Sequence, residues 1–234
     1  MNGKQTRCML FYQSVIRILN RRYRSGEALF KRHGRKNLVT VSEITLMRWQ
    51  NSIHFMIKYI ASDLDGTLLQ NEAQKPDNET LELIRRLPEA GIHFIAASGR
   101  QYRSLRHLFA PLADRMYFLC ENGAVVYMPG EPPKLLSKTV IDRALSLELC
   151  RDILEIPGCE LLISGANMSY LCPKTESYLD HIRYFVGNNV TVLDSPQEMP
   201  EDFVKISAYY LPGAEQLEPM LVPKWGKRLG AAIA

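Results

Sequence analysis

From Met56 onward the chain alternates short apolar runs with amphipathic stretches, the pattern of βαβ units whose parallel strands are buried on both faces. Ile57 to Ser62 predicts a first strand. Behind Asp77, Leu81, Ile84 and Leu87 recur at helical spacing, which predicts a helix from Asn78 to about Leu87 with Asp77 as its N-cap. Pro88 should fray the last turn and Gly91 should end the unit. Ile92 to Ala97 predicts a second strand, Tyr102 to Phe109 a second helix, and Met116 to Cys120 a third strand.

After Glu121-Asn122-Gly123-Ala124 the pattern becomes α+β. A hairpin is expected near Val125 to Leu136 and a helix around Asp142 to Leu154, then strands near Glu160 to Ile163 and Ser169 to Leu171. A helix about Thr175 to Phe185, a strand at Val190 to Leu193 and the apolar run Val204 to Leu211 continue it. Met220, Leu221, Val222 and Trp225 would line one helix face. The predicted class is α/β, with a Rossmann-like parallel-sheet core over residues 56–127 and an α+β domain over 128–234, divided near Tyr127.

Charge separates the first 55 residues from the rest. They hold 11 Lys and Arg against 2 Glu, a net of +9, whereas residues 56–234 carry 18 basic and 23 acidic side chains, a net of −5. A nucleic-acid arm, a targeting peptide and translated sequence upstream of a start at Met56 all fit such a segment. No nucleic-acid module is recognisable around Arg21, Arg22, Arg24, Lys31, Arg32, Arg35 or Lys36. A poorly ordered extension is therefore expected, with Met56 as the functional start and no nucleic-acid partner. No apolar run approaches the roughly 18–20 residues of a membrane span, so neither membrane nor anchor is expected. The five cysteines lack CxxC spacing and the five histidines lack metal-ligand spacing, which leaves ordinary thiols in a reducing, cytoplasmic setting.

The densest chemistry is Asp63-Leu64-Asp65-Gly66-Thr67 at the end of the first predicted strand. In open α/β sheets that end is where ligands bind. Two carboxylates at i and i+2, followed by a glycine that permits a tight turn, can converge on one phosphoryl group and one cation. An EF-hand is excluded by spacing. Its glycine belongs at the sixth loop position and its glutamate at the twelfth, whereas here the glycine is fourth and the twelfth residue is Gln74. Ser98-Gly99-Arg100 closes the second strand, where the Ser98 hydroxyl could hold phosphate or simply cap a helix.

In order, Asp63-Leu64-Asp65-Gly66-Thr67, Ser98-Gly99-Arg100 and Glu121-Asn122-Gly123-Ala124 resemble the DxDGT motif, the second-strand Ser motif and the ENGA segment of haloacid dehalogenase-like phosphatases of the Cof-type subgroup. The resemblance implies that the α+β domain is an inserted cap. It further implies a magnesium-dependent phosphatase acting on small phosphomonoesters of the sugar-phosphate kind. Asp63 would be the nucleophile that forms an aspartyl-phosphate, and Asp65 the general acid/base. Magnesium would be held by Asp63 and the backbone carbonyl of Asp65. Thr67, Ser98, Gly99, Arg100 and Asn122 would face the phosphate or substrate, a small phosphorylated metabolite. A phosphomutase of the same superfamily and a noncatalytic phosphate-binding fragment are the alternatives.

The resemblance also implies a third-motif lysine and a fourth-motif acidic cluster of the form GDxxND. No GDxxND occurs in the sequence, and Lys224 and Lys227 follow cap-like residues rather than a core strand. The expectation is a chain that ends inside the cap, with an incomplete core and impaired turnover.

Overall fold

The computed structural model describes residues 8–12, 57–70, 73–185 and 188–233. Met56, and most of the basic N-terminal segment, lie outside those residues. The first strand, β1 (Cys8–Tyr12), precedes the five strands of the core sheet: β2 (Tyr59–Asp63), β3 (His93–Ala97), β4 (Tyr117–Cys120), β5 (Val125–Met128) and β6 (Lys134–Lys138). These five are neighbours in sequence order. β2, β3 and β4 run parallel, and their register sets Asp63 beside Ala97 and Ala97 beside Leu119. β5 and β6 are antiparallel additions to β4.

The crossover after β2 contains α1 (Asn78–Arg86), and its ends follow the expected chemistry. Asp77 accepts the Thr80 N–H at 2.7 Å, Glu79 sits in the first turn, and Arg85 and Arg86 sit in the last, matching the helix dipole at both ends. Pro88 lies in a 3₁₀ turn over Leu87–Ala90, which Gly91 closes in the left-handed region at φ 70°. The next crossover contains α2 (Tyr102–Leu108). Its Tyr102 ring meets Phe118 edge-on at 5.4 Å, and Leu105 and Phe109 are fully buried beside it. Each such aromatic contributes roughly 1.5–3 kcal/mol through burial alone, so this cluster dominates the support of the sheet on that face.

The remaining chain builds the cap from α3 (Arg143–Glu155), β7 (Cys159–Ser164), β8 (Ser169–Leu171), α4 (Glu176–Asp180), β9 (Val190–Val192), β10 (Lys205–Tyr210), α5 (Glu218–Trp225) and β11 (Gly230–Ile233). Its sheet has the order β11-β1-β10-β7-β8-β9 and is antiparallel except for β8 with β9. Leu149 and Ile153 of α3 pack with Leu161 and Ile163 of β7, Ile206 and Ala208 of β10, and Leu221 and Trp225 of α5.

Three expectations change. The hairpin β5–β6 bonds to β4 and extends the core sheet, so the chain leaves the core after Lys138, whereas a boundary near Tyr127 would cut through β5. Next, β2 is not buried on both faces: Tyr59, Ala61 and Asp63 are exposed, with Ile60 and Ser62 half-buried, because β2 is the outermost strand of its sheet. Lastly, Cys8–Tyr12 does not stand apart from the fold, since β1 lies between β10 and β11 with Cys8 opposite Tyr209 and Met9 opposite Ile233. The α5 face is apolar as expected at Leu221 and Trp225, but Met220 points outward and is 53% exposed.

Candidate active site at the ends of the parallel strands

Parallel strands bring their C-terminal ends to one side, and here those ends carry the polar motifs. Asp63 is the last residue of β2. Leu64 and Leu69 are buried in the core and anchor the following turn from below, which leaves Asp63, Asp65 and Thr67 exposed above it. Gly66, at φ 75°, lets the backbone double back. The turn is closed by N–H donation from Gly66 to Leu69 O at 2.9 Å, Thr67 to Leu64 O at 3.1 Å and Leu69 to Leu64 O at 2.7 Å.

Ser98 follows β3 on the same side, its N–H donating to Leu119 O at 2.9 Å and its Oγ accepting the Arg100 N–H at 3.2 Å. It does not cap α2, whose N-cap is Gln101, three residues later. The third strand end is Glu121-Asn122-Gly123. Its Glu121 and Asn122 both adopt left-handed backbone, at φ 50° and 57°. For a residue with a Cβ such as Glu121 this costs about 1–2 kcal/mol, whereas Asn tolerates it better. The two turns are laced together, with the Glu121 N–H on Arg100 O at 3.1 Å and the Asn122 N–H on Ser98 O at 3.1 Å. A Cβ on Gly99 would stand 2.9 Å from Asn122 Oδ1, so glycine here lets the Asn122 side chain lie against the backbone.

Arg100 crosses from this pair of turns to the first, donating Nη2 to Asp65 Oδ1 at 2.7 Å and Nε to Oδ2 at 3.2 Å. The six residues Asp63, Asp65, Ser98, Gly99, Arg100 and Asn122 thus share one end of the sheet, and Thr67 sits on the turn after Asp65. The Asn122 Oδ1 is buried and meets no hydrogen-bond donor among the described residues.

One charged residue at this site escapes a reading of motifs. Lys205, at the start of β10 in the cap, is 6% exposed; its ammonium is ion-paired with Glu121, 1% exposed, and donates to Gly99 O at 2.8 Å. The available signal was a lysine inside the largely apolar run Val204 to Leu211, since lysine is almost never buried without a partner. The cap touches the same end again through Gln101, whose Nε2 donates to Ser169 Oγ at 2.7 Å and whose Oε1 accepts the Asn189 N–H at 3.3 Å.

As a cation site, the first turn offers one carboxylate, Asp63, and the Asp65 carbonyl. Both are hard oxygens of the kind magnesium takes, and magnesium keeps several waters. No cluster of three or more His, Cys, Asp or Glu side chains arranged for a metal occurs among the described residues. Lys224 is engaged away from this end, on the cap, by Asp152 at 2.6 Å and Glu148 at 3.1 Å.

The family model for haloacid dehalogenase-like hydrolases matches residues 60–221, a span that runs from β2 through the first half of α5. The chain belongs to this family. A 5-amino-6-(5-phospho-D-ribitylamino)uracil phosphatase of Escherichia coli is 26% identical over 181 residues, which is 76% of this chain and 62% of that protein. Phosphoglycolate phosphatase 1 of Saccharolobus solfataricus is 30% identical over 144 residues, 55% of this chain and 63% of its own length. The chain therefore spans less than two thirds of these relatives. Among solved structures, one from Eubacterium rectale superposes with a TM-score of 0.65 at 27% identity, covering 74% of this chain and 65% of its own. A haloacid dehalogenase-like hydrolase from B. subtilis superposes at 0.60 with 21% identity over 73% of this chain and 67% of its own, a likeness of fold. The mixed core sheet, parallel over β2, β3 and β4, with its flanking helices is the α/β, Rossmann-like fold of this family. No helix among the described residues is long and apolar enough to cross a membrane.

Proposed function

We propose that this chain carries the nucleophile-bearing part of a cytoplasmic phosphatase that hydrolyses small phosphomonoesters of the sugar-phosphate kind through an aspartyl-phosphate on Asp63. The observation that carries the reading is the parallel register that sets Asp63 beside Ala97, so that Ser98 and Arg100 emerge at the same sheet end as both aspartates. The relatives named as phosphatases support the same reaction class.

A carboxylate oxygen of Asp63 attacks phosphorus, and the bond from phosphorus to the ester oxygen breaks as Asp65 delivers a proton to the leaving alkoxide. In the second step Asp65 takes a proton from water, the water oxygen attacks phosphorus, and the bond to Asp63 breaks to release inorganic phosphate. Asp63 and the Asp65 carbonyl would hold a magnesium ion, whose contribution is to neutralise phosphoryl charge. Thr67, Ser98 and Asn122 would present hydroxyl and amide groups to the phosphoryl oxygens, and the bare Cα of Gly99 leaves room for the Asn122 side chain against it. Both oxygens of Asp65 accept from Arg100 in this arrangement, so proton transfer requires the guanidinium to move off Asp65 and onto the phosphoryl group.

The test is hydrolysis of p-nitrophenyl phosphate by the 234-residue chain, with magnesium and with EDTA, beside Asp63→Asn. Slow, magnesium-dependent turnover that is lost in the variant is the expected result, slow because the implied lysine and GDxxND cluster are absent from the sequence. Turnover that survives Asp63→Asn removes the aspartyl-phosphate. Folded protein that binds inorganic phosphate without turnover reassigns the chain as a phosphate binder.

A further inference from the structure

We infer that Lys205 is a positioning residue: from the first position of β10 in the cap, its ammonium clamps the Ser98–Arg100 turn to the Glu121–Asn122 turn of the core. The geometry is specific. One ammonium group pairs with Glu121 from the third strand end and donates to Gly99 O from the second at 2.8 Å. Its neighbour Val204 is fully buried in the core cluster that contains Phe118, whereas Ile206, two residues on, is buried in the cap cluster. Lys205 therefore stands where β10 passes from one packed body to the other.

Stability by itself does not account for the pair. A buried ion pair can usually be replaced by apolar residues of similar size with little or no loss of stability, so burying Lys205 and Glu121 together is a poor way to hold a fold. It is a good way to hold an unfavourable backbone in one arrangement. Glu121 and Asn122 are in left-handed conformation, strain of a kind that persists only where the surroundings over-determine it. Both turns that Lys205 bridges are also laced to each other by the Glu121 and Asn122 amides. Withdrawing the ammonium removes the tie that joins both turns to β10 of the cap and frees Asn122, whose buried Oδ1 faces Gly99, to relax.

The effect on catalysis rests on the phosphatase reading; the clamp does not. It is tested first without ligand, by residue-resolved hydrogen exchange on the full chain. In the Lys205→Met/Glu121→Gln double variant, which leaves no buried charge unpaired, the Glu121 and Asn122 amides should exchange at least tenfold faster than in wild type, with β7 amides unchanged. Glu121→Gln alone removes one arm of the clamp and leaves the ammonium buried without its counter-charge, so its Asn122 amide should also exchange faster than in wild type, at least threefold. Unchanged exchange in the double variant overturns the clamp. Should the double variant fail to fold, wild-type exchange in folded Glu121→Gln overturns the clamp equally, and faster exchange there upholds it. Titration with inorganic phosphate in magnesium buffer then reads the consequence. An affinity at least tenfold weaker in the double variant is expected, and unaltered affinity beside fast exchange overturns the positioning role. Wild type that binds no phosphate defeats the phosphatase reading while the exchange result still stands.

Discussion

Arg100 grips both carboxylate oxygens of Asp65, with Nη2 on Oδ1 at 2.7 Å and Nε on Oδ2 at 3.2 Å, from the opposite side of the strand ends. The side chains are 35% and 59% exposed. A pair this open to water contributes well under about 1 kcal/mol, so an incoming phosphate dianion can displace it. Arg100→Ala should accordingly leave the melting temperature almost unchanged while raising KM for p-nitrophenyl phosphate tenfold or more. Arg100→Lys should recover only part of the loss, because an ammonium lacks the planar fork. A large drop in melting temperature with unchanged KM would assign Arg100 to the fold instead.

Gly99 supports a second prediction. Adding a methyl group there places it 2.9 Å from Asn122 Oδ1, so the Asn122 side chain must give way. Gly99→Ala should lower stability by roughly 1–2 kcal/mol, the scale of local overpacking. Turnover should fall further than that strain suggests, since displacing a binding group by about 1 Å can reduce rates on the order of a hundredfold. Thermal melts beside steady-state kinetics would separate the two effects, and a variant with full activity would exclude Asn122 from the phosphate site.

The cap core turns on Trp225. Its indole is fully buried, its Nε1 donates to Asp152 Oδ2 at 2.9 Å, and Lys224 and Arg228 lie over its ring at 5.1 and 4.6 Å. Trp225→Ala should reduce unfolding free energy by about 3–5 kcal/mol, measured by denaturant titration. Trp225→Phe should recover most of the packing and lose only the hydrogen bond.

The acid limb of stability has a local contributor on the cap surface. Hydrogen bonds from Arg228, then from Lys224, hold Glu148 down at about 2 from its ordinary value near 4.5. A depressed carboxylate stabilises the folded state above its unfolded value and loses that contribution as pH falls through the folded one. The window is thus pH 4.5 down to 2. Glu148→Gln should flatten the loss of stability within that window and lower stability by a constant, pH-independent amount above it. Molar salt should do the same to wild type, because the pair is exposed to screening.

Much of this architecture is legible in local chemistry. Asp77 before α1, Pro88 and Gly91 after it, Asp142 before α3 and Thr175 before α4 each cap or end the element that the residue type predicts. The site is legible for a related reason: its residues cluster at strand ends in three short motifs, and a parallel sheet has no choice but to gather them. What local chemistry does not encode is partnership across distance. The hairpin β5–β6 has the same alternation whether it joins the core or the cap, so its bonding to β4 was invisible. Lys205 and Glu121 are 84 positions apart in sequence, and nothing near either names the other. The outermost position of β2 depends on strand order, a property of the whole sheet rather than of Tyr59–Asp63.

The insertion of β1 between β10 and β11 has a consequence in time. Cys8 faces Tyr209, so a ribosome must complete nearly the whole chain before the earliest strand meets either neighbour. The core sheet, whose strands follow one another in order, can assemble during synthesis, whereas the cap sheet closes only at the end. Until then β1 is an unpaired edge carried upstream of the core sheet, and it waits for β10, with Lys205 at its root, to emerge after it.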